Sequence, residues 1–261
     1  METKRNLKYY IAPPVSVVSI IGWAVTAVML MLAFFSATRM LGIVGVIVGL
    51  GIVVFSSGGK SNDTDIEYQA RERTKNLRES SMKKFDVYEK NFLKMLKPID
   101  LTGYDFEPKE KEIYYKKGQD GTPRTNYFAA NNLIFTGEKV YIYGKRISLI
   151  DEEIDETTYS SYKYNELERA EILEKKFAPQ KGEPVTYYVF KLIKKDGEDA
   201  LSMCIDYGAD SDKAVENINR AISVRSAELE KKAQERARKL AEFRENVMAG
   251  KVELPEEDDL I

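Results

Sequence analysis

Two long apolar runs dominate the hydrophobic pattern of the first sixty residues. Val15–Ala37 is 23 residues without a charge, and Met40–Gly59 is another 20. A helix rises about 1.5 Å per residue, so each run reaches the ~30 Å thickness of a hydrocarbon core. The few residues around Ser36–Arg39 fit only a tight antiparallel turn. The pattern predicts a transmembrane helical hairpin over residues 15–59, with helices at 15–37 and 40–57.

Small residues recur at helical spacing within both runs. They are Gly42, Gly45 and Gly49 in the second run, and Ala33 and Ala37 in the first. Small side chains let two helix backbones approach closely inside lipid, where packing replaces the hydrophobic effect. We expect these five residues to pack the two transmembrane helices together. Gly45 and Gly49 could equally serve the pairing of two copies of the chain.

The distribution of lysine and arginine predicts how the hairpin is oriented. Basic residues flank both outer ends of the hairpin, and only Arg39 lies in its turn. Positive flanks stay in the cytoplasm. The expected location is therefore the cell membrane, as a multi-pass protein with both termini cytoplasmic. Residues 1–14 would form a cytoplasmic tail, and the lipid bilayer would be an integral partner.

A long helical pattern follows the second apolar run. Apolar or small residues recur at three- and four-residue steps from Ile66 onward, Thr64 and Glu67 match a capping box, and Pro98 ends the pattern. We predict a helical stalk over residues 60–98, about 50 Å long if it is continuous. Two arrangements stay open: a helix lying on its own domain, or a coiled-coil stalk that supports a homo-oligomer.

From about Thr102 to Tyr207 the pattern changes to short β-branched and aromatic runs separated by turns. "YFAANNLIFT" turns at Gly137-Glu138 into "KVYIYGKRISLI", and "VTYYVFKLI" turns at "KKDGED" into "ALSMCIDY". "EIYYKK" leads into the loop "GQDGTPRT", and "YNELERAEILEKKF" predicts a turn and a strand. In the last strand apolar residues alternate with Ser202, Cys204 and Asp206, so we expect one buried face and one wetter face.

A second amphipathic helix follows the last strand. Asp210 or Ser211 can cap it, and its apolar face continues to Leu240. Its first half is expected to close one end of the sheet structure. Its second half, residues 229–249, extends beyond any such domain. The last residues, 250–261, form an acidic tail that we expect to be disordered.

The composition argues against several classes of enzyme and binding site. Gly59-Lys60-Ser61 ends like a phosphate-binding loop, but Val54 stands where a Walker loop needs glycine. The chain has no histidine and one cysteine, which excludes the commonest general base, histidine metal sites and thiolate zinc sites. We expect no catalytic residue, no metal and no cofactor. The net charge of −2 gives no sign of nucleic-acid binding.

Three stretches carry a resemblance to a known family. They are "NNLIFTGEKVYIYGKRISL", "YKYNELERAEI" and "YVFKLIKKDGEDALSM" with the helix from Asp210. On these stretches residues ~100–228 resemble the pleckstrin-homology-like (PH-like) domains of bacterial membrane proteins. The resemblance implies two roughly orthogonal antiparallel sheets, a β-barrel or sandwich, closed by the long C-terminal helix. The expected fold class is an α+β membrane protein with a transmembrane hairpin, a helical stalk and a PH-like domain over residues 99–228.

The resemblance implies a binding or scaffolding module and no enzyme. The expected function is a membrane-anchored scaffold or regulatory protein whose cytoplasmic PH-like domain binds partner proteins. The first alternative is recognition of an anionic lipid headgroup by Lys116, Lys117 and Arg124, since cations near an anionic leaflet contribute ~1 kcal/mol each. The second alternative is an accessory subunit of a transporter or envelope complex.

Overall fold

The computed structural model of the chain describes residues 2–11, 17–57, 60–107, 112–179 and 183–249. Within these ranges the helices are α1 (Glu2–Ile11), α2 (Val17–Ala33), α3 (Arg39–Ser57), α4 (Asp63–Thr74), α5 (Leu77–Phe85) and α6 (Ser211–Met248). The strands are β1 (Ile99–Tyr104), β2 (Tyr115–Lys117), β3 (Pro123–Thr125), β4 (Tyr127–Phe135), β5 (Lys139–Ser148), β6 (Glu156–Lys163), β7 (Leu167–Phe177), β8 (Val185–Lys194) and β9 (Asp199–Ile205). The predicted acidic tail lies outside the described residues.

The strands form three antiparallel sheets. The first has the order β1-β4-β5-β6, the second is the β2-β3 hairpin, and the third has the order β7-β8-β9. A short 3-10 turn, Tyr164–Glu166, separates β6 from β7, so the chain leaves the first sheet before it begins the third. Between β1 and β9 the backbone N–H of Asp206 donates to the carbonyl of Thr102 at 2.7 Å, without a paired ladder. The described strands therefore do not close into a barrel, and that part of the predicted fold class is wrong.

The larger hydrophobic core lies between the first and third sheets and under the first half of α6. Leu133 of β4, Phe190 of β8 and Ile218 of α6 are at most 1% exposed there. The edge of β7 is closed by a side chain of α6, because the amide of Asn219 bonds both backbone groups of Ala170, at 2.6 and 2.9 Å. The helix therefore closes the open side of the third sheet, as the sequence predicts for its first half.

A second core lies on the other face of the first sheet. Tyr9 and Tyr10 of α1 and Ile66 of α4 pack there against Phe128 and Ile147. The segment expected to be an N-terminal tail is thus a helix that buries one face against the sheet. Burying two tyrosine side chains requires partners for their hydroxyls, and these donate to the Asp63 carboxylate at 2.6 Å and to the Thr125 carbonyl at 2.5 Å.

Strand β4 is buried along its whole length because it separates the two cores. Ala129, Leu133 and Phe135 face the larger core, while Phe128 and Ala130 face the second one. Successive side chains of a strand point to opposite faces, so a strand with both faces covered buries every position. All nine residues of β4 are buried.

The predicted stalk of about 50 Å does not form. The helix breaks at Asn76 and again at Asp86, whose φ angles of 60° and 52° are left-handed. Few residues other than glycine adopt this region, although asparagine and aspartate tolerate it best. The capping box that begins α4 is formed by Asn62 and Asp65, two residues before the predicted pair. Segment α5 then lies on the first sheet, where the rings of Phe85 and Tyr141 are 4.8 Å apart.

The prediction of a two-span transmembrane hairpin is wrong. In the described part of the chain, no helix is both long and apolar enough to cross a membrane. Helix α2 has 17 residues, or about 25 Å, because it ends at Ala33, and α3 has 19 residues and begins with a charge, Arg39. The multi-pass cell-membrane location is therefore wrong, and the assignment of both termini to the cytoplasm loses its basis. Residues 15 and 16 lie outside the described ranges.

Helices α2 and α3 nevertheless pack as an antiparallel pair. A Cβ atom at Gly42 would lie 2.7 Å from the Cα atom of Ala33, and one at Gly49 would lie 2.9 Å from the backbone nitrogen of Thr26. At Gly45 it would overlap the side chain of Met29. These glycines let the two backbones approach closely. Ala37 lies in the turn between the helices.

Three features of the strands differ from the sequence pattern. Strands β1 and β6 were not predicted as separate strands, since β1 is short and contains Gly103 and β6 carries few apolar residues. Cys204, placed by alternation on a wetter face, is 3% exposed. It lies in the second core, which the sequence does not reveal. The β4–β5 and β8–β9 hairpins, the strand β7 and the helix from Ser211 are confirmed.

The close approach of β1 to β9 gives a test of the sheet arrangement. A Cβ atom at Gly103 would lie 2.7 Å from the carbonyl oxygen of Cys204 and from the Cα atom of Ile205. Because backbone atoms cannot move aside cheaply, Gly103→Ala should lower the free energy of unfolding by about 1–3 kcal/mol. Urea denaturation measures the change.

Gly208→Ala is the matched control, since a Cβ atom there meets nothing within 4 Å. It should leave stability unchanged or raise it slightly, because alanine restricts the unfolded chain. Equal stabilities of the two variants would contradict the close contact between β1 and β9.

Candidate binding groove

An open groove runs between α4, the β2–β3 hairpin and the end of β9. It consists of two adjoining cavities of about 610 and 920 Å³, which share Glu67, Arg71, Asp120 and Arg124. We call the smaller cavity the inner groove and the larger one the outer groove. The inner groove is walled by the aromatic side chains of Tyr104, Phe106, Tyr187, Tyr188 and Tyr207, with Asp206 among them.

Arg124 lies between the two cavities and is neutralised by an aspartate of its own hairpin. Its side chain is 5% exposed, and its two terminal nitrogens donate to the two carboxylate oxygens of Asp120 at 2.9 and 2.7 Å. These hydrogen bonds hold the pKa of Asp120 well below its usual range and raise that of the guanidinium. The buried Nε atom has no hydrogen-bond partner among the described residues and lies 3.8 Å from Glu67. Arg124 therefore stabilises the β2–β3 hairpin, and its positive charge is already neutralised by Asp120.

Glu67 is likewise engaged from two sides. Arg71 donates to one of its oxygens at 2.8 Å, and the hydroxyl of Tyr104 donates to the other at 3.0 Å. Burial, and then the charge of Glu67, raise the pKa of Tyr104 well above its usual value, so this hydroxyl stays protonated and remains a donor. The two arginines and two of the three carboxylates of the inner groove thus balance one another.

Asp206 is the carboxylate of the inner groove that lacks an ion pair among the described residues. In the described structure its carboxylate accepts one side-chain hydrogen bond, a long contact of 3.5 Å from the hydroxyl of Thr102. Asp206 is exposed by its surface area, although the walls of the groove exclude part of the water around its carboxylate. This partial burial, together with the charge of Glu67, raises its pKa to about 6. A perturbed acid in a cleft marks a candidate functional site.

Aromatic rings next to Asp206 are fixed by their own contacts. The rings of Tyr188 and Tyr207 stack with centroids 4.3 Å apart, and the hydroxyl of Tyr207 donates to Asp212 at 2.6 Å. Cys204 lies behind them, where burial raises the pKa of its thiol to about 12. The thiol is therefore protonated at neutral pH and is a poor nucleophile. What remains for a ligand is one carboxylate beside a rigid aromatic wall.

The predicted headgroup residues all lie on the β2–β3 hairpin but do not form one free cationic surface. Lys116 and Arg124 are cross-strand neighbours, as are Lys117 and Pro123. Lys116 donates to the backbone carbonyl of Tyr9 at 3.0 Å and lies over that ring, and burial lowers its pKa. Lys117 is exposed. With Arg124 paired to Asp120, one of the three cations is left accessible.

Sequence reasoning missed the groove because its parts come from segments that are distant in the sequence. Glu67, Asp120 and Asp206 belong to a helix, a turn and the end of a strand, and no spacing in the sequence links them. The described residues contain no cluster of three or more metal-ligating side chains. The predicted helix-packing residues lie apart from the groove. Four belong to the α2–α3 pair and Ala37 to the turn between these helices; the four are Gly42, Gly45, Gly49 and Ala33.

The chain was compared with known protein families, curated proteins and solved structures, and none of the three comparisons gave a significant match.

The raised pKa of Asp206 predicts a pH-dependent effect on stability. A carboxyl group whose folded pKa lies above its unfolded value stabilises the fold below the unfolded pKa of ~4, and this contribution is lost as pH rises through about 6. At pH 7.5 Asp206→Asn should therefore raise the free energy of unfolding, by about 1 kcal/mol because solvent screens the carboxylate. The gain should shrink toward zero at pH 4. Urea denaturation across this pH range measures it.

Glu216→Gln, an exposed position on α6, is the control for simple loss of a negative charge. It should change stability equally at both pH values. A gain in Asp206→Asn that did not depend on pH would contradict the assigned pKa.

Proposed function

We propose that the chain is a non-enzymatic binding and scaffolding protein whose inner groove holds a positively charged side chain of a partner protein. The observation that carries the proposal is Asp206, a carboxylate without an ion pair in the described structure, facing a cavity of about 610 Å³ walled by aromatic rings. A carboxylate offers charge-assisted hydrogen bonds to an arginine or lysine, and tyrosine faces attract the same cations.

The order of the strands supports a binding module of the PH-like type. Four strands of one sheet are followed by three of another and then by a helix that packs on the shared core. In this arrangement the β2–β3 hairpin is an excursion between β1 and β4 that forms one wall of the groove. Binding sites are commonly built from such excursions on a rigid scaffold. The PH-like assignment rests on this order and on the stretches quoted from the sequence.

The charge balance of the groove supports a cationic ligand over an anionic one. The guanidinium of Arg124 is paired with Asp120 and that of Arg71 with Glu67. An anionic headgroup in the inner groove would have to break one of these pairs and would face Asp206. A cationic side chain would instead neutralise the carboxylate that the fold leaves without an ion pair. The headgroup alternative therefore has less support here than a protein partner.

Binding, rather than catalysis, fits the state of the other polar groups around Asp206. The oxygens of Glu67 accept from Arg71 and Tyr104, and the thiol of Cys204 is buried and protonated. Each of these groups already has a structural role. A proton-transfer reaction would need a second group with matched pKa. The proposed role of Asp206 is to hold a cation in place.

A pair of capped pentapeptides tests the proposal on the full chain. One has arginine between glycines, and the other has citrulline, which keeps the shape of arginine without its charge. We expect the arginine peptide to bind more tightly, and Asp206→Asn to weaken it about 10-fold or more, because a hydrogen bond to a charged group contributes ~1.5–3 kcal/mol. Affinity should also fall as pH drops from 7.5 to 5, since Asp206 gains a proton near pH 6. Calorimetric titration measures these values.

Asp196→Asn is the matched control, because Asp196 lies in the exposed β8–β9 turn and pairs with Lys194. It should not change the affinity for the arginine peptide. Tyr207→Leu should weaken binding a few-fold by removing one face of the aromatic wall. Equal binding of the arginine and citrulline peptides, or full affinity in Asp206→Asn, would reject the proposed ligand.

A further inference from the structure

A strongly basic cavity lies away from the groove, between the first sheet and the middle of α6. Its volume is about 490 Å³, and the cations that line it are Lys139, Lys163, Arg225, Lys232 and Arg236. They come from the start of β5, the end of β6 and the middle of α6. Among the described residues, Glu138 is the one acid in its lining. We call these residues the basic pocket.

Two of its lysines oppose each other across the sheet. Lys139 of β5 and Lys163 of β6 are direct cross-strand partners. Like charges placed directly opposite each other destabilise a sheet. A pair of residues that destabilises the fold is expected at a functional site, where binding compensates for the lost stability.

The neighbouring acids leave most of this charge uncompensated. Within the described residues, Arg225 pairs with Glu228 and also donates to the carbonyl of Gly137, while no ion pair involves the two strand lysines, Lys232 or Arg236. The carboxylate of Glu166 accepts from the backbone N–H of Lys163. Four cations without an ion pair among the described residues therefore line one cavity, and Glu138 is the acid in that lining.

We propose that the basic pocket binds a compact anion that carries two or more adjacent phosphate groups. Cations that converge on one cavity suit a small ligand of high charge density better than an extended chain, whose charges would be spread out. Lysine ammonium groups bind phosphate oxygens as point charges, and the planar guanidinium of Arg236 can contact two oxygens at once. A bound anion would also relieve the repulsion between Lys139 and Lys163, and this relief would strengthen its binding.

Calorimetric titration of the full chain with pyrophosphate tests the proposal. Orthophosphate tests whether two phosphate groups are needed, and a nucleoside diphosphate tests whether the source of the phosphates is inorganic or nucleotide. We expect pyrophosphate to bind at least 10-fold more tightly than orthophosphate. Lys139→Gln and Lys163→Gln should each weaken pyrophosphate binding about 5- to 10-fold. A tighter fit of the nucleoside diphosphate would assign the pocket to nucleotides.

Melting temperatures of the free variants separate loss of the site from loss of the fold. Removing one charge of the opposed pair should raise the melting temperature in the absence of ligand, by roughly 1–3 °C. Binding and stability would then change in opposite directions, which a damaged fold cannot produce. Lys213→Gln, an exposed lysine near the start of α6, is the control and should alter neither measurement.

Two results would overturn the proposal. The first is equal, weak binding of pyrophosphate and orthophosphate, which indicates general attraction of anions to a basic surface. The second is pyrophosphate affinity in Lys139→Gln and Lys163→Gln equal to that of Lys213→Gln. Neither result bears on the groove at Asp206, which lies between other elements and is probed by a ligand of opposite charge.

Discussion

The double burial of β4 is the constraint on which the rest of the structure depends. Both of its faces are covered, so the strand must be apolar or small at nearly every position and must find a neighbour for every backbone group. Antiparallel pairing with β1 on one side and β5 on the other gives the backbone groups of β4 their hydrogen-bond partners. Covering the first face requires the third sheet and α6. Covering the second requires α1, α4 and α5, which is why the N-terminal helix and the broken helical segment lie on the sheet and do not extend from it.

The polar residues of β4 show how such a strand accommodates side chains that are not apolar. Asn132 is fully buried, and its amide donates to Asp100 of β1 at 2.5 Å. Asn131 donates to the sulfur of Met203 at 3.0 Å, while Gly144 faces it from β5. A Cβ atom at Gly144 would overlap the Asn131 side chain. The glycine thus makes room for an amide where any larger residue on β5 would displace it.

Local patterns allowed the hairpins and the last helix to be predicted, and long-range contacts decided the rest. The β4–β5 and β8–β9 hairpins have short turns between alternating runs, and α6 has a cap and an apolar stripe. The stalk was wrong because the left-handed residues Asn76 and Asp86 leave no signal in apolar periodicity. The transmembrane hairpin was wrong because α2 ends at Ala33 while the uncharged run continues to Ala37, and because α3 begins with the charge of Arg39. The groove and the basic pocket could not be predicted, because each is assembled from segments that meet only after folding.

The two bonds between Asn219 and Ala170 fix more than the edge of β7. They set both the rotation of α6 about its axis and its position along the sheet, since a shift by one residue would carry the amide away from the strand. Lys232 and Arg236 lie 13 and 17 residues further along the same helix, about 20 and 26 Å at 1.5 Å per residue. The helix is held again near the basic pocket, because Arg225 and Ser226 donate to the backbone carbonyls of Gly137 and Tyr164. These contacts and the Asn219 amide together fix where Lys232 and Arg236 lie relative to the strand lysines. A neutral amide outside the charged site thereby contributes to the position of its cations.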